Sequence, residues 1–258
     1  MELEYMSALE VDAERIEGSN PSLTTSFYFY KNRKGDVMNK EVTQEVIDYW
    51  NNKWKKKPLK YAGRTLKKSN IAIEVDVKNF ITTNDTVLET IIETNGLRKD
   101  TYNETAHACQ KFVVQFLTYT SDEIQDSCPE FWQFPFESIA SREGDCEDGA
   151  ILMASLMINA GIPSWRVKVI GGLVQEAPTA PEGGHGYCVY LADRADGSME
   201  WEIHDWCYFE DSDVPTGSKP LSKDGGYNQC YKDIWFSFNN EYAWSNELTV
   251  IEDRIKNS

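Results

Sequence analysis

REGDCEDGAILMASLMINAGIP, at residues 142–163, carries the start and stop signals of one helix. Gly144 and Asp145 interrupt the chain, apolar residues then run to Ala160, and Gly161 with Pro163 ends the run. Asp145 is a good N-cap, and Asp148 three residues later supplies the second half of a capping box. Ala150, Ile151, Leu152, Met153, Ala154, Leu156, Met157 and Ile158 make the helix apolar nearly all round, which places it in the middle of a domain. Cys146 therefore falls in the first turn of a central helix. The unsatisfied N–H groups and the helix dipole favour a thiolate there, and the same N–H groups can hold an oxyanion formed on an attacked carbonyl. Asp145, Glu147 and Asp148 oppose this, because neighbouring carboxylates raise a thiol's pKa. A nucleophile at this position needs a cation beside it, and histidine suits best. Taken alone, the segment fits a structural cysteine at a helix start better than a nucleophile.

Downstream residues supply the partners. SWRVKVIGGLV (164–174) alternates like a strand, and the Pro- and Gly-rich QEAPTAPEGG follows as a loop that would border a cleft. HGYCVYLA (185–192) and MEWEIHDWCYF (199–209), joined by DRADGS with its Asp-Gly turn signal, read as an antiparallel hairpin. With the loop centred on Ala195, His185 lies opposite Asp205, and opposed residues share a face with Cβ atoms about 5 Å apart. His185, Tyr187, Val189 and Leu191 then share a face with Trp201, Ile203 and Asp205, while Cys188, His204 and Cys207 do not. A Cys on a helix start, a His on a strand and an Asp beside it form a nucleophile, base and orienter. The rival is zinc, since His185-x2-Cys188 and His204-x2-Cys207 are two H-x2-C pairs. Ligands three apart on a strand point to opposite faces, which counts against it.

Upstream, NIAIEVDV (70–77) alternates as a strand. NDTVLETIIETNG (84–96) predicts a helix capped at Asn84 or Asp85 and stopped at Gly96. NETAHACQKFVVQFLTY (103–119) predicts a core helix through Ala106, Cys109, Phe112, Val113, Phe116 and Leu117, with His107 on the surface and Cys109 a core thiol. Residues 1–70 read as an extension separate from a domain at 71–258. Within the extension, SFYFYKN (26–32) suggests an edge strand, and Val46, Ile47, Trp50 and Trp54 fall at helical spacing over 41–54. The segment 53–68 holds eight Lys and Arg and no acid. It reads as a docking patch for an acidic partner or as a solvated basic run against the acidic body.

The chain has 258 residues, 41% of them hydrophobic and 26% charged, which suits one domain with an appendage. Lys and Arg total 26 against 42 Asp and Glu, a formal charge of −16, which disfavours nucleic-acid partners. No run of about 18 apolar residues is present to span a membrane. The acidic start MELEYMSALEVDAERIEGS has no apolar signal core, so no secretory leader is expected. The six cysteines are then expected as free thiols.

GDCED at 144–148, HGY at 185–187 and HDW at 204–206 resemble the pattern of the transglutaminase-like cysteine enzymes, a papain-like superfamily. The upstream approach is also similar, with Tyr119, Asp122, Trp132, Pro135 and Glu137 ahead of the GDC turn. The match spans roughly residues 84–210, and GDCED before a long apolar helix is its most specific part. One departure is Trp206, where the family commonly has Pro or Asn after the Asp.

The resemblance implies an α+β papain-like transglutaminase core, with the Cys-bearing helix packed on an antiparallel sheet. It implies Cys146 as nucleophile, His185 as base and Asp205 as orienter. The Cys146 N–H would be one oxyanion donor, with Trp132 and Gln133 as candidates for the second. The activity implied is that of a cysteine peptidase or amidase on a protein or peptide. The alternatives are a crosslinking transglutaminase and a catalytically silent structural protein. Some bacterial members bind calcium beside the Cys, where this chain has Asp145 and Glu147, but two carboxylates fall short of the six to eight oxygens calcium takes. The expectation is therefore no cofactor. YKDIWFSFNNEYAW (231–244) resembles the C-terminal part of phage members and reads otherwise as a buried edge strand, so a cytoplasmic or virion-associated setting is expected.

Overall fold

The structure is a computed structural model that describes residues 44–52, 60–65, 72–127, 130–175, 177, 179–208, 213–222 and 231–245. The chain divides into two compact units, Met1–Lys53 and Trp54–Ser258. In the first, helix α1 (Gln44–Asn52) buries Val46 and Trp50, as the helical spacing over 41–54 predicts. The stretch 26–32 lies outside the described residues.

In the second unit, β1 (Lys60–Thr65) pairs antiparallel with β2 (Ala72–Asp76). This ladder ties one part of the basic segment, 60–65, to the strand at 72–76. The rest of segment 53–68 lies outside the described residues. Helix α2 (Thr86–Asn95) is capped by Asp85, whose carboxylate accepts the N–H groups of Val87 and Leu88. It ends at Gly96 with φ 58°, a left-handed conformation that suits Gly best. Helix α3 (Tyr102–Phe116) carries a capping box between Thr101 and Glu104 and buries Ala106, Cys109 and Val113. His107 on α3 is partly buried, not a surface residue as its sequence suggests.

The short strand β3 (Thr118–Tyr119) pairs in parallel with β4 (Glu143–Gly144), and between them lie α4 (Asp122–Gln125) and α5 (Pro135–Ser141). Helix α6 (Cys146–Asn159) has the predicted Asp145–Asp148 capping box and buries every residue from Glu147 to Met157. Its apolar side chains sit at the centre of the hydrophobic core, among residues of α2, α3 and the main sheet. Each fully buried Leu, Ile or Met contributes about 1.5–3 kcal/mol relative to exposure, so this helix anchors the unit.

Among the described residues, the main sheet has five antiparallel strands in the order β7-β6-β5-β8-β9. They are β5 (Val167–Val174), β6 (Gly183–Asp193), β7 (Met199–His204), β8 (Tyr231–Phe238) and β9 (Ala243–Ser245). Val167, Val169, Cys188, Tyr190, Ala192, Phe236 and Phe238 join α6 in one core cluster. The architecture is α+β, with the Cys-bearing helix packed on an antiparallel sheet.

Four details differ from the sequence reading. Residues Ser164–Arg166 form a 3-10 turn ahead of β5. Strand β7 ends at His204, because Asp205 turns its carboxylate to the N–H of Cys207 and leaves the ladder. Strand β8 lies inside the sheet, and β9 is the edge. The β6–β7 register pairs Val189 with Ile203 and Leu191 with Trp201, so the hairpin centres on Asp196 and not Ala195. Gly197, with φ 86°, closes that turn. The two-residue offset preserves the parity: odd-numbered residues share one face, and Cys188 with His204 share the other.

Candidate active site

Three segments converge at the N-terminal end of α6. The capping box holds the helix start, with Asp148 accepting the Asp145 N–H at 3.2 Å. Cys146 is partly exposed there, and its thiol donates to Glu147 Oε2 at 3.1 Å. Strand β6 approaches so closely that a Cβ on Gly186 would lie 2.7 Å from Glu147 Cβ. Glycine at 186 is thus what admits the strand, and its N–H reaches the Cys146 sulfur at 3.4 Å.

His185, the neighbour of Gly186, is buried and places Nε2 2.6 Å from Asp205 Oδ2. In the observed register Asp205 would stand opposite Tyr187, so it meets His185 on the diagonal of a shared face. Asp205 is fully buried. Burial raises its pKa, but the charge of His185 and hydrogen bonds from His185, Tyr231 and Cys207 outweigh it, and the carboxyl stays below its ordinary value. Around His185 stand Tyr187, stacked at 5.9 Å between centroids, and Tyr208, edge-on at 4.8 Å.

The thiol itself is held protonated. Burial, then the neighbouring Asp145 carboxylate, pushes the Cys146 pKa well up, and the Gly186 N–H works in the other direction. Of the predicted acidic opposition, Asp145 raises the thiol's pKa, while Glu147, which accepts the thiol's hydrogen bond, lowers it. Asp122, Asp145 and Asp148 can bring carboxylate oxygens within 4.8 Å of one another, and so can Asp145, Cys146 and Glu147 with one ligand atom each. Burial, then Asp145, pushes Asp122 up to about 8 and Asp148 well above its usual range.

Neither second oxyanion candidate has an idle side-chain donor. The Trp132 indole donates to Glu130 at 2.5 Å while its ring packs against Phe80. The Gln133 amide donates to Asp148 Oδ2 at 2.7 Å, and its backbone N–H to Asp148 Oδ1 at 2.7 Å. The two H-x2-C pairs do not converge, because Cys188 faces His204 while His185 turns to Asp205. Of the upstream residues, Asp122 enters the carboxylate cluster, Pro135 opens α5 and Glu137 caps the Phe134 N–H.

Trp206, the departure noted after Asp205, has a role the sequence did not suggest. Its indole donates to the Cys146 carbonyl at 3.1 Å and lies against Gly149, where a Cβ would come within 2.1 Å of Nε1. Tyr231 donates to Asp205 Oδ2 from β8. Neither residue carries a local sequence signal, since each is defined by its partner across the fold. A pocket of about 230 Å³ lined by Val114, Leu117, Tyr119, Trp206 and Cys207 opens beside this corner.

No family model matches the sequence, and no curated protein matches it. Solved structures similar to this chain include LapG of Legionella pneumophila. Its EGTA-treated form aligns at 22% identity and a TM-score of 0.45, covering 64% of this chain and 76% of that one. Its calcium-bound form aligns at 22% identity and a TM-score of 0.44, covering 66% and 88%. A provisionally named cysteine protease from Cytophaga hutchinsonii aligns at 16% identity and a TM-score of 0.37, covering 68% of this chain and 54% of that one.

Proposed function

We propose that this chain is a thiol-dependent acyl-transfer enzyme acting as a cysteine peptidase or amidase on a protein or peptide. The observation that carries the reading is the buried His185–Asp205 pair at 2.6 Å, next to a residue whose N–H meets the Cys146 sulfur at a helix start. With Nε2 committed to Asp205, Nδ1 is the nitrogen that takes the thiol proton. The thiolate attacks the amide carbonyl, and N–H groups at the start of α6 receive the oxyanion. The His185 imidazolium then protonates the leaving amine, which departs and leaves a thioester on Cys146. Water, deprotonated by His185, attacks the thioester, releases the acid and restores the thiol. Asp205 stays ionised throughout and holds the imidazole tautomer.

An amine in place of water would make the same site a transglutaminase. Hydrolysis is favoured because it needs no second substrate site. Incubation with casein and with a labelled amine tests this: cleavage lost in Cys146→Ala supports the peptidase, and amine incorporation without cleavage refutes it. Inertness of the wild-type chain in both assays would favour the structural, silent reading.

A divalent cation, calcium above all, fits the carboxylate cluster. Among the described residues, Asp122 Oδ1 is buried without a hydrogen-bond partner, and the Asp145 and Glu147 side chains lie against each other beside it, an arrangement a hard cation would satisfy. Asp122, Asp145 and Asp148 would hold it, with Glu147 alongside. Its positive charge would offset the Asp145 carboxylate, which adds to burial in raising the Cys146 pKa. The thiol proton itself still passes to His185.

A further inference from the structure

Among the described residues, the Asp205 carboxylate accepts three hydrogen bonds, and one of them comes from His185. The Cys207 N–H reaches Oδ1 at 2.8 Å, and the Tyr231 hydroxyl donates to Oδ2, the same oxygen that His185 holds. Tyr231 arrives from β8, which flanks β5 on the side away from β6. Two features of the sheet make this reach workable. The β5–β8 ladder shifts register twice, pairing Gly171 with Phe236 but Gly172 with Ile234, and Leu173 with Asp233 but Val174 with Tyr231. Such bulges re-aim a strand's side chains. On the face that carries His185, the β5 residue paired with it is Gly172, so no side chain of β5 stands there. A Cβ at 172 would strike the Asp233 carbonyl at 2.3 Å, so the bulged strand lies where that side chain would be. The Tyr231 ring is then fixed edge-on against Tyr187 at 4.8 Å.

We propose that Tyr231 is a positioning residue for the acyl-transfer site: its hydroxyl pins the Asp205 carboxylate so that Oδ2 presents a fixed acceptor to His185 Nε2. This rests on the triad reading above. Without the hydroxyl, the carboxylate keeps the Cys207 N–H on Oδ1 but only His185 on Oδ2, so Oδ2 is a less firmly fixed acceptor and the imidazole loses part of its orientation. Tyr231 touches neither thiol nor substrate in this role, so its effect is on turnover and not on substrate binding.

Tyr231→Phe keeps the ring and removes only the hydroxyl, and it is compared with wild type in the full chain. The first readout is the downfield proton NMR signal of His185 Nε2–H in its bond to Asp205, which needs no turnover. The expected result is that this signal shifts or broadens beyond detection in Tyr231→Phe at unchanged circular dichroism. Turnover of a casein substrate should fall about 10- to 100-fold with KM unchanged, as loss of a hydrogen bond to a charged group implies. Substituting 3,5-difluorotyrosine at 231, a stronger donor, should keep the signal sharp and restore turnover. An unaltered His185 signal in Tyr231→Phe overturns the proposal, whatever the turnover. Loss of the signal in Tyr231→Phe, with turnover unaffected by Asp205→Asn, would instead show the hydrogen bond real and the triad reading wrong.

Discussion

Gly186→Ala perturbs the point where β6 meets α6. The added Cβ would lie 2.7 Å from Glu147 Cβ, 2.8 Å from its Cα and 3.1 Å from its N. Carbon atoms rest at about 3.5 Å or more, so strand and helix must part by roughly 0.7 Å. Two of the three opposing atoms are backbone, fixed in the first turn of the central helix, so no side-chain rotation relieves the contact. Overpacking of this kind costs about 1–3 kcal/mol, which for a unit of this size lowers Tm by about 2–12 °C. The same displacement draws His185 away from Cys146 and lengthens the Gly186 N–H contact to sulfur, now 3.4 Å. A misplacement of about 1 Å can cost on the order of 100-fold in rate, so turnover should fall about 10- to 100-fold. Thermal unfolding and casein cleavage on the same preparation measure both. Wild-type Tm and wild-type turnover together would refute the close approach of strand and helix.

Gly149→Ala should act through Trp206. The new methyl group would sit 2.1 Å from the indole nitrogen, expel the ring and break its bond to the Cys146 carbonyl. Overpacking and the lost hydrogen bond together cost about 2–4 kcal/mol, visible in denaturant unfolding. The cation-free chain should also lose stability as pH rises. Asp122 sits at about 8 in the fold, above its unfolded value. Its contribution is therefore full below about pH 4 and is lost as pH climbs through about 8. Asp205 is lowered, so its contribution is present above its unfolded pKa and is lost as pH falls through the folded one. Millimolar calcium should raise Tm most at the alkaline end, and a Tm indifferent to calcium from pH 6 to 9 would count against the cation site.

The central helix was legible because its signals are local: a cap at Asp145, an all-round apolar run and a Gly–Pro stop. The face shared by His185 and Asp205 was legible because strand parity survives an even shift of register. The register itself was not, since it depends on how the Gly197 turn closes. Trp206, Tyr231 and the grouping of Asp122 with Asp145 and Asp148 were hidden for another reason. Each acquires its role from a residue far away in the chain, and no spacing or propensity encodes that. Glycines 149 and 186 likewise look ordinary in sequence and matter only for what lies against them.

The most direct measurement is the rate at which iodoacetamide alkylates Cys146, followed by peptide mass mapping in wild type and in His185→Ala. If Cys146 is a nucleophile served by His185, wild type should modify fastest at Cys146, with calcium present. The His185→Ala rate should drop at least about 10-fold, because the base contributes on the order of 100-fold or more to such steps. Equal rates in the two proteins, or slow labelling of Cys146 no faster than that of Cys207, would contradict the assignment.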